Sequence, residues 1–143
     1  MEFVDSNVVL YAYDATARAR HRAAGDLMSR LGRTKQGVLS VQVLQEFYVN
    51  AVTKIVVPLT PSVGRERLRT LSRWPVHSPL HHDVIAASVI GEDHQISFWD
   101  AMIVRSAAEM GCDVLWTEDL NEGQIINGVR IANPFAEVPK GHT

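Results

Sequence analysis

The chain has 143 residues, 46% of them apolar and 21% charged, which suits one ordinary globular domain with a real core and leaves no room for two. The formal net charge of −2 argues against bulk electrostatic capture of nucleic acid, and the single cysteine, Cys112, excludes a disulfide framework or a cysteine zinc site. No apolar run approaches membrane-spanning length and Met1-Glu2-Phe3 lacks the basic start of a signal peptide, so a reducing, cytoplasmic setting with no membrane partner is expected.

Residues 2–4 read as a short buried strand that ends on an acid, Asp5. Ser6 and Asn7, good helix caps, then lead into the apolar run 8–13, so the segment reads as strand, tight turn and helix. A second helix spans residues 18–31, with Ala23, Ala24, Leu27, Met28 and Leu31 at helical spacing and Gly32 as its end. Residues 37–40 form a second strand, followed by a helix over 41–54 that carries Val41, Leu44, Phe47, Tyr48 and Ala51 on one face. Two prolines break the chain at 56–61, and Pro61 opens a helix to about residue 73. Residues 75–77 are a weak third strand. A helix over 81–91 and another over 98–110, capped by Ser97 and ended at Gly111, lead to a fourth strand at 113–117. A last short strand covers 129–131. Strands alternating with helices predict a three-layer α/β/α domain with a central, mainly parallel sheet, and the absence of a linker or repeat makes residues 1–143 one domain.

Charge is segregated along this order. Residues 54–73 carry the bases Lys54, Arg65, Arg67, Arg69 and Arg73 against Glu66, whereas residues 92–122 carry eight acids against Arg105. Taken singly, each cluster is most simply a solvated helix face. Four acids stand out by position. Asp5 ends the first strand, Glu46 lies one turn into the helix after the second, Asp100 lies in the first turn opened by Ser97, and Asp119 follows the fourth strand. In a parallel sheet all four fall on the carboxyl edge, where ligand sites form. Any one of them alone could be a helix cap or a first-turn acid favoured by the macrodipole. Carboxylates gathered together resist ionisation unless a cation joins them, and oxygen-only ligands select hard ions such as Mg2+ or Mn2+. Metal-assisted phosphodiester hydrolysis is the chemistry such a set fits.

These residues carry a resemblance. Asp5-Ser6-Asn7, Gln45-Glu46, Ser97-Phe98-Trp99-Asp100-Ala101 and Leu115-Trp116-Thr117-Glu118-Asp119-Leu120 resemble the four signature segments of PIN-domain nucleases. The length, the order of the acids and the ending Asn133-Pro134-Phe135 most resemble the VapC toxins of bacterial type II toxin–antitoxin systems. The resemblance covers essentially the whole chain and implies a PIN-like fold with ribonuclease activity. It assigns metal binding and catalysis to Asp5, Glu46, Asp100 and Asp119, with Ser6, Asn7 and Thr117 as supporting residues. It implies in-line attack of metal-activated water that leaves a 5′-phosphate. It also implies an RNA substrate, a cognate antitoxin and a homodimer. Tyr11, Tyr13, Leu27, Met28 and Leu31 are the candidates for an antitoxin groove, with core packing as the competing expectation.

Two other readings compete. A PIN-like module acting only through protein contacts would be signalled by loss of one acid, and all four are present. An aspartate-based phosphatase would need a second aspartate two residues after Asp5, where Asn7 stands; a receiver-type domain would need a lysine near the site, and the late Lys140 lies in the tail. The six histidines, including His21, His77, His81, His82, His94 and the tail residue His142, lack metal-ligand spacing and are expected on the surface. Of the tryptophans, Trp116 is expected in the core, while Trp74 and Trp99 could pack or stack on bases. Arg65, Arg67, Arg69 and Arg73 could contact phosphates.

Overall fold

The strand that organises the fold, β1 (Glu2–Val4), is three residues long, and it is central because its side chains are. Phe3 and Val4 are wholly buried, and two parallel strands flank them: β2 (Gly37–Ser40), with Phe3 opposite Val38, and β4 (Val114–Trp116), with Phe3 opposite Leu115. The computed structural model describes residues 1–139; Lys140 and His142 lie outside them. Six strands among these residues run in the order β3-β2-β1-β4-β6-β5, where β3 is Val76–His77, β5 Ile125–Ile126 and β6 Val129–Ala132. Every pairing is parallel except that of β5 with β6.

Between the strands lie α1 (Ser6–Tyr13), α2 (Ala19–Thr34), α3 (Val41–Thr53), α4 (Pro61–Leu71), α5 (His81–His94) and α6 (Phe98–Glu109). The chain steps outward from β1 to β2 to β3, then returns across the sheet to β4 and continues the other way. Right-handed crossovers therefore send the helices of the two halves to opposite faces, which gives the expected three layers. Consistently, α1 packs on α2 and α3, and α5 packs on α6. Phe47 of α3, Leu31 of α2 and Ile103 of α6 are fully or almost fully buried against the sheet, each burial contributing roughly 1.5–3 kcal/mol. No helix of the described residues is long and apolar enough to cross a membrane.

Several element ends differ from expectation, each for a local reason. Asp5, rather than Ser6 or Asn7, is the N-cap of α1. Gly32 does not end α2, which runs on to Thr34 and stops where Lys35 turns left-handed at φ 57°. Helix α4 stops at Leu71, two residues early. Helix α5 passes through Gly91 for almost another turn, because the glycine leaves room for the Ile96 carbonyl, which a Cβ there would approach to 3.3 Å. The β5–β6 hairpin was not expected. Its turn, Asn127-Gly128, has φ values of 50° and 81°, the two positive values that a tight hairpin requires.

Singled-out side chains also find definite places. Leu27 and Leu31 are core, and Tyr11, Tyr13 and Met28 are half-buried against it. The exposed apolar side chains are elsewhere, with Leu80, Val84, Ile85 and Val89 at α5. Trp74 packs against Gly37, where any Cβ would collide with the ring. Trp116 is half-buried and donates its indole N–H to Glu2 at 2.9 Å. His77 is not a surface residue: its ring meets the Ser106 hydroxyl at 2.8 Å and is largely enclosed.

Candidate functional site

The strand order reverses between β1 and β4, so the crevice at their carboxyl ends is the switch point of the sheet, where open parallel sheets form ligand sites. Asp5 emerges there directly from β1, tied to β4 by its amide on the Trp116 carbonyl at 3.0 Å. It is 4% exposed. Its Oδ1 accepts the Ser6 amide at 2.7 Å, and its Oδ2 accepts the Thr117 hydroxyl at 2.9 Å. Capping and lining the site are thus the same act for this residue. Burial pushes its carboxyl up to about 7; the Thr117 hydroxyl and Ser6 amide pull the other way, while Asp119 and Glu46 add to the rise.

Thr117, itself fully buried, is the hinge of the second acid. It follows β4, donates a hydrogen bond from its hydroxyl to Asp5, and accepts the Asp119 amide at 3.1 Å, turning the chain so that Asp119 faces the crevice. Asn7, in the first turn of α1, donates to the Asp119 carboxylate at 2.8 Å. The third acid arrives on α6. Ser97 caps that helix by accepting the Asp100 amide at 3.0 Å, as its sequence position predicts, and Asp100 stands half-buried in the first turn. Burial raises its carboxyl above the ordinary range, and Asp119 and Glu46 raise it further.

Asp5, Asp100 and Asp119 each present an oxygen within 4.8 Å of the others. They come from three separate elements and lie 95 and 19 residues apart along the chain, so local sequence does not bring them together; the sheet does. Glu46 lines the same cleft but stands outside that trio. Its Oε1 accepts the Ser6 hydroxyl at 2.9 Å, and its Oε2 accepts the Gln42 amide at 3.3 Å. The cleft measures about 520 Å3, and α3 forms one wall with Gln42, Gln45, Glu46, Val49 and Asn50, continued by its C-cap Lys54. Lys54 is the one base among its described lining residues.

This donor set fits a hard divalent cation. All its candidate donors are carboxylate oxygens; among the described residues no ion pair offsets their mutual repulsion, and the buried Asn7 Oδ1 has no hydrogen-bond partner. Each predicted site residue is therefore at the cleft or bonded to a residue that is. Gln42 and Asn50 were missed; the i, i+4 spacing of Gln42 and Glu46 was the available signal for the first. Trp99 is 63% exposed at the rim, with its carbonyl held by Gln42 at 3.1 Å, while the arginines of α4 stand apart: Arg67 rests on the Tyr13 ring and Arg69 pairs with Glu66.

Comparison with known proteins bears on this geometry. No curated protein matches the chain. Among solved structures it is similar to a toxin–antitoxin complex from Klebsiella pneumoniae, with a TM-score of 0.69 and 17% identity over 94% of this chain and 98% of that one. It is similar to Mycobacterium tuberculosis VapC20, described as a sarcin–ricin loop cleaving toxin, with a TM-score of 0.65 and 21% identity over 83% and 92%. DNA-bound VapBC from Salmonella typhimurium aligns at a TM-score of 0.66 and 19% identity over 93% and 97%. At these identities the structures speak for the fold. The model of the PIN domain matches residues 3–122, which is most of the chain and includes all four acids, and the chain belongs to the PIN domain family.

Proposed function

We propose that the chain is a metal-dependent endoribonuclease, the toxin of a toxin–antitoxin pair, with residues 1–143 acting as one cytoplasmic nuclease domain. The observation that carries this reading is the convergence of Asp5, Asp100 and Asp119 within 4.8 Å at the switch point of the sheet. Membership of the PIN family and the likeness in fold to VapC and VapBC structures support it.

In this reading Asp5, Asp100 and Asp119 hold Mg2+, with Mn2+ as substitute, and Glu46 completes the four-acid set from the α3 wall. A bound divalent ion supplies neutralisation of phosphate charge and a lowered pKa for water. The chain's own residues supply the geometry. Ser6 and Thr117 fix the two oxygens of Asp5, Asn7 aims Asp119, and Ser97 sets the turn that presents Asp100. Glu46, hydrogen-bonded by Ser6 and Gln42 beside the trio, would take a proton from the water that attacks the phosphodiester. Lys54 at the far end of the same wall offers a contact for a flanking phosphate. An antitoxin and a second copy of the chain are its proposed protein partners.

The test is cleavage of labelled single-stranded RNA by purified protein in Mn2+, in Mg2+ and in EDTA, beside Asp100→Asn prepared identically. Metal-dependent cleavage that disappears in the variant is the expected result. Equal cleavage by the variant would remove the acid site from the mechanism, and failure of the parent to bind Mn2+ at all would return the chain to the protein-binding reading.

A further inference from the structure

The ending Asn133-Pro134-Phe135 has no part in the acid cleft, yet it reaches the site through one side chain. Phe135 is buried, its amide held by the Asn133 side-chain oxygen at 2.8 Å, and its ring meets Tyr11 of α1 edge-on with centroids 5.1 Å apart and planes at 78°. Against this aromatic pair lies the guanidinium of Arg20, from the first turn of α2, at 5.5 Å from the Phe135 centroid and 5.9 Å from the Tyr11 centroid. Both are cation–π distances. The same guanidinium donates from Nε to Glu118 at 3.3 Å, in a pair whose side chains are only 17% and 23% exposed.

Glu118 stands between Thr117 and Asp119. The loop after β4 is thus held from both sides: Thr117 ties it inward to Asp5, and Glu118 ties it outward to Arg20. Glu118 is also a further carboxylate beside an acid cluster, and without a cation it would add to the repulsion there. Arg20 pairs with it away from the lining of the cleft. A flexible lysine would serve poorly, because the planar fork both stacks on the rings and directs Nε at the carboxylate.

We infer that Arg20, seated on Tyr11 and Phe135 and paired with Glu118, is a positioning residue that holds Asp119 in place for the metal, with Phe135 as the wedge that keeps Arg20 on station. The consequence at the metal rests on the reading proposed above; the ordering of the loop does not. Residues that orient metal ligands from behind typically govern affinity by roughly 10–100-fold when removed.

The experiment compares the parent with Arg20→Met, Arg20→Lys and Glu118→Gln in two measurements. The first is amide hydrogen exchange at residues 117–119 without metal; the second is Mn2+ affinity by calorimetry. Arg20→Met and Glu118→Gln are expected to speed exchange at the Asp119 amide and to weaken Mn2+ binding about tenfold. Arg20→Lys, which keeps the charge, should recover part of both. Exchange and Mn2+ affinity equal to the parent's in all three variants, with only a lowered melting temperature, would make Arg20 a packing residue and overturn the inference. A parent that binds no Mn2+ would bring down the metal reading by itself, and the exchange measurement would still decide the clamp. Should Arg20→Met fail to fold, Glu118→Gln, nearly isosteric with the parent residue, decides between clamp and packing by the same two measurements.

Discussion

Two aspartates in this molecule are almost equally buried and are treated in opposite ways. Asp83, at the start of α5, is 2% exposed; Asp5 is 4% exposed. Around Asp83 every need of a buried carboxylate is met. One oxygen accepts the Leu80 amide at 2.8 Å and the other accepts Arg105 at 2.8 Å, with the His77 and His82 rings at 3.8 and 3.9 Å. Its carboxyl is held below the ordinary range, chiefly by the Leu80 amide. Asp5 has an amide and a hydroxyl, no cation among the described residues, and two other carboxylates whose charge adds to the cost of its burial. The difference separates a structural acid from a functional one: burial that the fold compensates holds helices together, and burial left uncompensated awaits a ligand.

The comparison can be broken most forcefully at Asp5. Asp5→Asn keeps an oxygen for the Ser6 amide and deletes the charge, so RNA cleavage should fall by orders of magnitude while the fold persists; an undiminished rate would remove Asp5 from the site. Asp83→Asn should do the reverse. It strips Arg105 of its buried partner, leaving Glu109 at 2.8 Å, and should cost about 3 kcal/mol of stability with cleavage per folded molecule unchanged. Urea unfolding measures this, and a loss below about 1 kcal/mol would show that the network does not hold α5 to α6.

The same pair can be sharpened by pH. The folded form raises the Asp5 carboxyl from 3.8 to about 7, so its neutral state favours folding. That contribution is complete below about pH 4 and is lost as the pH rises toward 7 in the absence of metal. Melting temperatures of metal-free parent and Asp5→Asn should therefore diverge across pH 4–7, with the variant the more stable at the upper end; parallel curves would contradict the assignment. Asp83 has the opposite sign. Its depressed carboxyl contributes above its ordinary value of 3.8, and the deficit of Asp83→Asn should shrink as the pH falls below that. The smallest expected effect is on the basic helix. Because Arg67 is engaged by Tyr13 and Arg69 by Glu66, changing Arg65, Arg67 and Arg69 together to Gln should flatten the salt dependence of RNA binding by only about one unit of log–log slope. An unchanged slope would leave these arginines as solvated surface.

How much of this was legible in the sequence depended on whether the signal was local. Caps and short buried strands are local, so Ser97 before Asp100, Pro61 opening α4 and the apolar strand before Asp5 could be read directly. The four acids could be placed on one edge because a parallel sheet fixes which end of each strand turns into a helix. The strand order could not, since nothing local tells β4 to return beside β1. The β5–β6 hairpin was legible in principle from Asn127-Gly128, but strands of two and four residues are too short for alternation to show. In α5 the buried face was not legible: Ala87 and Ile90 are buried while Val84, Ile85 and Val89 lie outward, and apolar side chains encircle the helix with no periodic face. His77 and Arg20 were missed for a different reason: each acts on residues distant in the chain, Ser106 and Glu118, and no spacing marks such a pairing.

The outermost strands carry a consequence of their own. At one margin of the sheet β3 has two residues and at the other β5 has two, the latter folded back in a hairpin. A long bare margin is a template on which another chain can add itself through backbone hydrogen bonds, the usual route to uncontrolled aggregation. Here each margin offers a rung or two before the chain turns away. So short a margin leaves little backbone for edge-to-edge growth of one sheet onto another.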